Sequence, residues 1–151
     1  MSTTLRISEA ASIALHSMSY LAANHGRLIT SREIISTLKV SDAHLMKVLQ
    51  RLVKAGLIKS IRGPNGGFLL TKPADKITLL DVYEAIEGKP NFNNCLLGTP
   101  VCRDKKCILG NLISNVNHEV LDYFSKTNLA QLSEAYRGDE NDAGGAIKCE
   151  A

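Results

Sequence analysis

Apolar positions recur at three- and four-residue steps along residues 8–24, SEAASIALHSMSYLAAN, behind a serine and an early glutamate. That pattern predicts a helix with an N-cap at Ser8 and a stop at Asn24-His25-Gly26. Residues 30–38, TSREIISTL, open with Thr30 and place Glu33 three residues on, the side-chain pair of a capping box at a helix start. Residues 41–55, SDAHLMKVLQRLVKA, form a third helical segment closed by Gly56. The short gap between the second and third segments predicts a helix-turn-helix. The period then changes. Residues 57–61, LIKSI, alternate like a strand, residues 62–67, RGPNGG, carry turn chemistry, and residues 68–70, FLL, read as a second strand stopped by Pro73. Three helices followed by a hairpin are the order of a winged helix-turn-helix.

Beyond the hairpin, residues 78–88, TLLDVYEAIEG, predict a helix with a threonine cap and a glycine stop. Residues 89–107 form a loop with three cysteines. Residues 108–126 predict a long helix on which Ile108, Leu109, Leu112, Ile113, Val116, Val120, Leu121 and Phe124 make one apolar stripe. Burial against a partner helix from a second subunit is the favoured fate of that stripe, ahead of packing on its own domain. A short last helix is expected over 128–136, and the polar, glycine-rich residues 137–151 are expected to be disordered. The expected division is a winged helix-turn-helix over 1–88, a cysteine loop over 89–107, dimerisation and C-terminal helices over 108–136, and a tail. The fold class is mainly α with a small β-hairpin wing.

On a wheel of about 100° per residue, the third helix separates two chemistries. Leu45, Val48, Leu49 and Leu52 gather on one side, and Ala43, Met46, Lys47, Gln50 and Lys54 on the other, with His44 and Arg51 flanking. Lysine and glutamine can reach base edges or phosphates, and Ala43 permits close approach or meets a thymine methyl. The first turns of such a helix read bases, which favours Ala43, Met46 and Lys47 for base contacts and Gln50 and Lys54 for phosphate. At the hairpin tip, Arg62 precedes Gly63 and Pro64, and an arginine there can enter a narrow minor groove. A solvated polar helix face and an ordinary hairpin turn are the plainer readings of the same residues.

Charge strengthens the nucleic-acid reading. The net charge is only +3, but residues 27–72 hold nine basic residues and two acidic ones, Glu33 and Asp42. Such a local excess suits a polyanion such as double-stranded DNA. Of the residues, 44% are hydrophobic and 22% charged, with no tryptophan, values of an ordinary globular chain with an aliphatic core. No long apolar run marks a signal peptide or a membrane span, so a cytoplasmic location without membrane partners is expected. No phosphate loop, Ser/His/Asp pattern or paired-carboxylate motif suggests an enzyme.

Cys95, Cys102 and Cys107 stand in CLLGTPVCRDKKC, spaced C-x6-C-x4-C, and the one other cysteine is Cys149. Clustered cytosolic thiols point to metal or redox chemistry more than to structural disulfides. Thiolates are soft ligands suited to iron–sulfur clusters, with zinc as competitor. Arg103, Lys105 and Lys106 lie among them and would offset the charge of a thiolate-bound cluster. A zinc site or a thiol–disulfide switch remains open.

Together, the segment GLIKSIRGPNGGFLLTKPADKITLLDVYEAIEG, the helix-turn-helix before it and the three-cysteine loop after it resemble the iron–sulfur-cluster regulator family of dimeric winged-helix transcription factors, the IscR, NsrR and RirA group. The resemblance covers roughly residues 5–136. It implies a homodimeric, operator-binding regulator, a repressor by expectation, that senses redox, nitric oxide or iron status. It also implies that Cys95, Cys102 and Cys107 hold a [2Fe–2S] or [4Fe–4S] cluster. Some relatives use a histidine three residues after the last cysteine, where this chain has Gly110. Others take the fourth ligand from the first helix of the partner subunit. There this chain offers His16, with Glu9 and Ser12 as alternatives; Glu9 and His16, seven apart, share a helix face. His118 is a weaker candidate, and water or an external thiol is possible. A DNA-binding regulator with a zinc site or thiol switch, and a protein-binding scaffold or cluster carrier, are the competing readings.

Overall fold

The computed structural model describes residues 6–99, 101–102 and 107–137. Arg103, Lys105 and Lys106, Cys149 and the tail from residue 138 lie outside the described residues. Helix α1 spans Glu9–Ala23, with the Ser8 hydroxyl accepting from the Ala11 N–H as its N-cap. Helix α2, Ser31–Leu38, carries the full capping box: Glu33 N–H donates to Thr30 Oγ1, and Thr30 N–H donates to Glu33 Oε2. That N–H bond, and next the Arg27 guanidinium at 2.7 Å, hold the Glu33 carboxyl below the usual carboxylate range. Lys39 ends α2 in the left-handed region (φ 54°) and turns the chain toward Ser41, which caps α3 (Asp42–Lys54).

Strands β1 (Ile58–Ile61) and β2 (Gly67–Leu70) form the antiparallel hairpin, with Ile58 opposite Leu70 and Ile61 opposite Gly67. Ile29, between α1 and α2, pairs with Phe68 through two backbone hydrogen bonds of 3.0 and 2.8 Å. The wing is thereby tied back to the helical head, a link the sequence pattern does not predict. A 3₁₀ turn at Ala74–Lys76 follows Pro73, and α4 spans Leu79–Glu87 behind a capping box of Thr78 and Asp81. Helix α5 covers Leu112–Lys126 and α6 Leu129–Leu132, and a 3₁₀ segment, Ser133–Tyr136, follows.

The core lies around α1, whose neighbours include α3, α4, α6 and the last 3₁₀ segment. Ala11 and Ala14 on α1 are fully buried, and side chains that small let neighbouring helices approach closely. Met18, Leu45, Leu49, Leu52, Ile34 and Val82 fill the interior. Burying each of the larger aliphatic side chains contributes roughly 1.5–3 kcal/mol. Phe124 near the end of α5 stacks edge-on against Tyr83 of α4, with ring centroids 5.8 Å apart. Burial, and next the Glu87 carboxylate, push the Tyr83 hydroxyl up. Backbone bonds Leu79 N to Thr127 O and Leu129 N to Ile77 O stitch the two halves together.

Two sequence expectations change at α5. Helix begins at Leu112 rather than at residue 108, because Cys107–Gly110 make a turn, with Gly110 at φ +55° and its N–H on Cys107 O. The apolar positions also fall on two faces, not one. Ile113 and Phe124 are buried on the domain, while Leu112 and Val116 are 57% and 38% exposed, as is much of Tyr123. Residues 112, 116 and 123 are about one helical face apart from 113, 117, 120 and 124.

Candidate functional site

Three surfaces hold the residues singled out by sequence. The first is built by α3 and the wing. The buried face of α3 is the aliphatic set expected, Leu45, Val48, Leu49 and Leu52. Ala43, Lys47, Gln50 and Lys54 are exposed on the opposite side, and Met46 is half-buried against the core. Arg51 is turned aside, donating to Ile86 O at 3.3 Å and so bracing α3 on the end of α4. Met46, Gln50 and Val53 face Lys59, Ser60, Arg62 and Phe68 across an open groove between helix and wing.

The wing turn is built from glycines for steric reasons. A Cβ at Gly66 would lie 2.1 Å from Ile61 O, and one at Gly67 would lie 2.7 Å from Ile29 O. Gly63 sits at φ +120°, a conformation side chains disfavour. Arg62, Gly63, Pro64 and Asn65 are all exposed at the tip. Among the described residues, no carboxylate lies within ion-pair distance of Lys47, Lys54, Lys59 or Arg62. The four cations form one positively charged surface along a helix and the adjoining wing, of a kind that suits a phosphate backbone.

The second surface is the cysteine loop. Asn93 organises its start: its Oδ1 accepts from Cys95 N–H at 3.0 Å and its Nδ2 donates to Gly98 O at 2.8 Å. Asn117, buried on α5, donates to Asn94 Oδ1 at 3.3 Å. Cys95 is half-buried, with its thiol 3.5 Å from Thr99 O, whereas Cys102 and Cys107 are exposed; all three are free thiols. Among the described residues, no group of three or more His, Cys, Asp and Glu side chains is gathered to hold a metal ion. Three free thiols are donors that suit a soft metal centre, and Asn93 fixes the backbone at Cys95 while a turn closed by Gly110 N–H fixes it at Cys107.

The third surface is a groove beside α1. Glu9, Ser12, Ile13 and His16 line one wall, Thr37, Leu38 and Val40 the other, and Tyr136 closes one side. The three proposed fourth-ligand residues thus share one groove, as their spacing implied. His44 Nδ1 lies 3.4 Å from Glu9 Oε1. His16 Nδ1 lies 2.6 Å from the Tyr136 hydroxyl, and Tyr136 also stands edge-on to Tyr20, with centroids 5.7 Å apart. Burial pushes the Tyr136 hydroxyl up. His118 is exposed on α5. Sequence reasoning did not find Tyr136, Asn93, Asn94 or Asn117, because each acts through a contact that no local periodicity encodes.

Comparison with known proteins agrees with this architecture. Residues 7–135 match the family model Rrf2, iron-dependent transcriptional regulator. The "Putative HTH-type transcriptional regulator" of Aquifex aeolicus is 34% identical over 122 residues, 79% of this chain and 85% of that protein. CymR (YrzC), the global cysteine regulator of B. subtilis, superposes with a TM-score of 0.72 at 29% identity, covering 87% of this chain and 98% of that one. The IscR of T. potens shares the fold, with a TM-score of 0.68 at 22% identity over 93% of this chain and 94% of that one. Among the described residues, no helix is long and apolar enough to cross a membrane.

Proposed function

We propose, since this chain belongs to the Rrf2 family of transcriptional regulators, that it acts in the cytoplasm as an operator-binding regulator controlled through its cysteine loop. Helix α3 enters the major groove of double-stranded DNA, with Ala43, Met46 and Lys47 toward base edges and Gln50 and Lys54 toward phosphates. Arg62, carried by Gly63 and Pro64, reaches the flanking minor groove. The observation that carries this reading is the cationic row of Lys47, Lys54, Lys59 and Arg62 on α3 and the wing, which has no ion-pair partner among the described residues. Two copies join along α5, covering Leu112, Val116 and Tyr123, and so present two α3 helices to two half-sites.

Cys95, Cys102 and Cys107 hold an iron–sulfur cluster, with His16 as fourth donor and Glu9 or Ser12 as alternatives, supplied by α1 of the second subunit. When bound, such a cluster supplies a centre sensitive to redox state, nitric oxide and iron supply. Free, soft thiols and the shared α1 groove support this assignment. Because the donors would come from both subunits, their ligation would couple the loop to the spacing of the two DNA-reading heads.

A second reading has its own observation. Cys102 and Cys107 are exposed free thiols, suited to a thiol–disulfide switch or a zinc site, and a similar protein is a global cysteine regulator. Anaerobic purification separates the two. Brown protein with near-stoichiometric iron and sulfide supports the cluster. Colourless protein that carries zinc, or that loses thiols reversibly on oxidation, supports the second reading. DNA retardation by upstream sequence, weakened in Lys47→Ala and Arg62→Ala, tests the operator-binding half independently.

A further inference from the structure

The α1 groove contains one contact that the family assignment does not use. His16 Nδ1 and the Tyr136 hydroxyl are 2.6 Å apart. Either group can donate in principle, but an unprotonated imidazole nitrogen is a stronger acceptor than a phenol oxygen and the phenol hydroxyl is a ready donor, which favours the hydroxyl as donor. Tyrosine keeps its proton at neutral pH, its ordinary value lying near 10. The ring is also held in place, half-buried and edge-on to both His16 and Tyr20 at interplanar angles of 86°.

We propose that Tyr136 is a positioning residue that sets the tautomer of His16: its hydroxyl donates to Nδ1, so the neutral ring carries its proton on Nε2. Neutral imidazole has one donor and one acceptor nitrogen, so fixing one fixes the other. In this state Nδ1 is occupied and Nε2 has no free lone pair. The groove then offers an N–H donor at His16 beside the Glu9 carboxylate and the Ser12 hydroxyl.

The consequence for ligation rests on the cluster reading above, whereas the tautomer does not. For Nε2 to ligate, the ring proton must move to Nδ1 and the Tyr136 hydroxyl must turn round to accept it. Tyr136 therefore holds His16 back as a ligand, and the competent tautomer is a minor fraction. Apparent affinity falls by that fraction. The C-terminal 3₁₀ segment that carries Tyr136 becomes part of the control of the site, although it supplies no ligand.

The test uses the full chain, reduced and metal-free, with ¹⁵N-labelled histidine, at about pH 8.5, two units above the ordinary histidine value of about 6.5. Long-range ¹H–¹⁵N correlation reports which ring nitrogen is protonated. His16→Gln assigns the His16 signals among the four histidines. The expected result is a protonated Nε2 and an unprotonated Nδ1 in the wild type. In Tyr136→Phe, both nitrogens should move toward the averaged values of a free imidazole. A wild-type ring protonated on Nδ1, or a Tyr136→Phe spectrum identical to wild type, overturns the assignment. If the variant folds poorly, the wild-type spectrum decides by the separation of the two nitrogen shifts, which must exceed that of free neutral histidine, itself mainly protonated on Nε2; a separation no larger than free histidine's overturns the assignment. Cluster reconstitution supplies the second arm. Tyr136→Phe should strengthen a His16-dependent cluster signature several-fold. A cluster spectrum unchanged in His16→Ala would remove His16 as a ligand while leaving the tautomer result standing.

Discussion

Replacing Gly66 with alanine should disable the wing while leaving the helical head folded. An alanine Cβ would sit 2.1 Å from Ile61 O, 3.0 Å from Gly63 O and 3.1 Å from the Arg62 carbonyl carbon, and real Cβ atoms essentially never come within 3.0 Å of such neighbours. All three are backbone atoms, so no side chain can rotate away. Relief requires a backbone shift of about 1 Å, given ordinary contact distances. That shift strains the turn bond from Gly66 N to Gly63 O and the Ile61–Gly67 end of the ladder. Overpacking of this kind costs about 1–3 kcal/mol. Local opening of the wing limits the loss to about 1–2 kcal/mol, since small elements open below the global free energy. For a chain of this size that lowers Tm by roughly 2–8 °C.

Gly26→Ala is the matched control, because Gly26 has φ +95° and an added Cβ meets nothing within 4 Å. Its strain is of similar size, about 1–2 kcal/mol; Gly26 shares a groove with Ile61 and Leu69 of the hairpin, but its added Cβ would touch neither. Fluorescence anisotropy with upstream DNA should show at least a tenfold loss of affinity for Gly66→Ala, equivalent to about 1.4 kcal/mol, and near wild-type affinity for Gly26→Ala. Wild-type DNA affinity in a folded Gly66→Ala, or equal losses in both variants, would refute the reasoning that an ordered wing carries a DNA contact.

Three other outcomes follow from particular residues. If two copies join along α5 as proposed, Val116→Glu should yield a monomer in size-exclusion light scattering while preserving the helical spectrum, and a variant with the same mass as a dimeric wild type would remove α5 as the interface. Ser17→Ala should raise urea stability by about 1 kcal/mol, because Ser17 is fully buried and its hydroxyl has no partner among the described residues. Glu33→Gln should lower stability at neutral pH by up to about 1 kcal/mol, the range of exposed pairs. Since the Glu33 carboxyl titrates below its ordinary 4.5 when folded, that advantage of the wild type is present above pH 4.5 and disappears as pH falls through the depressed value.

Much of the head was legible because its determinants are local. The aliphatic side of α3 follows helical period, and Thr30 with Glu33 marks the start of α2 within four residues. RGPNGG marks the wing through the conformations that glycine and proline permit. The start of α5 is not legible in the sequence because Ile108 and Leu109 continue an apolar period that Gly110 breaks by adopting a left-handed turn. The two faces of α5 read as one stripe because polar Asn117 takes an inner position, bonded to Asn94, while Leu112 and Val116 face out. The union of Glu9, Ser12 and His16 could be read from helix spacing. Tyr136 joins them from 120 residues away along the chain, which no spacing rule encodes.

The salt dependence of operator affinity bears most directly on the claim that α3 and the wing grip DNA. Upstream DNA binding should be measured across a salt series for the wild type and for Lys47→Ala, Lys54→Ala, Lys59→Ala and Arg62→Ala. The account predicts a steep fall of log K with log salt in the wild type. The slope should shrink by about 0.9 for each variant that removes a phosphate contact. A slope and affinity unchanged in all four variants would contradict it.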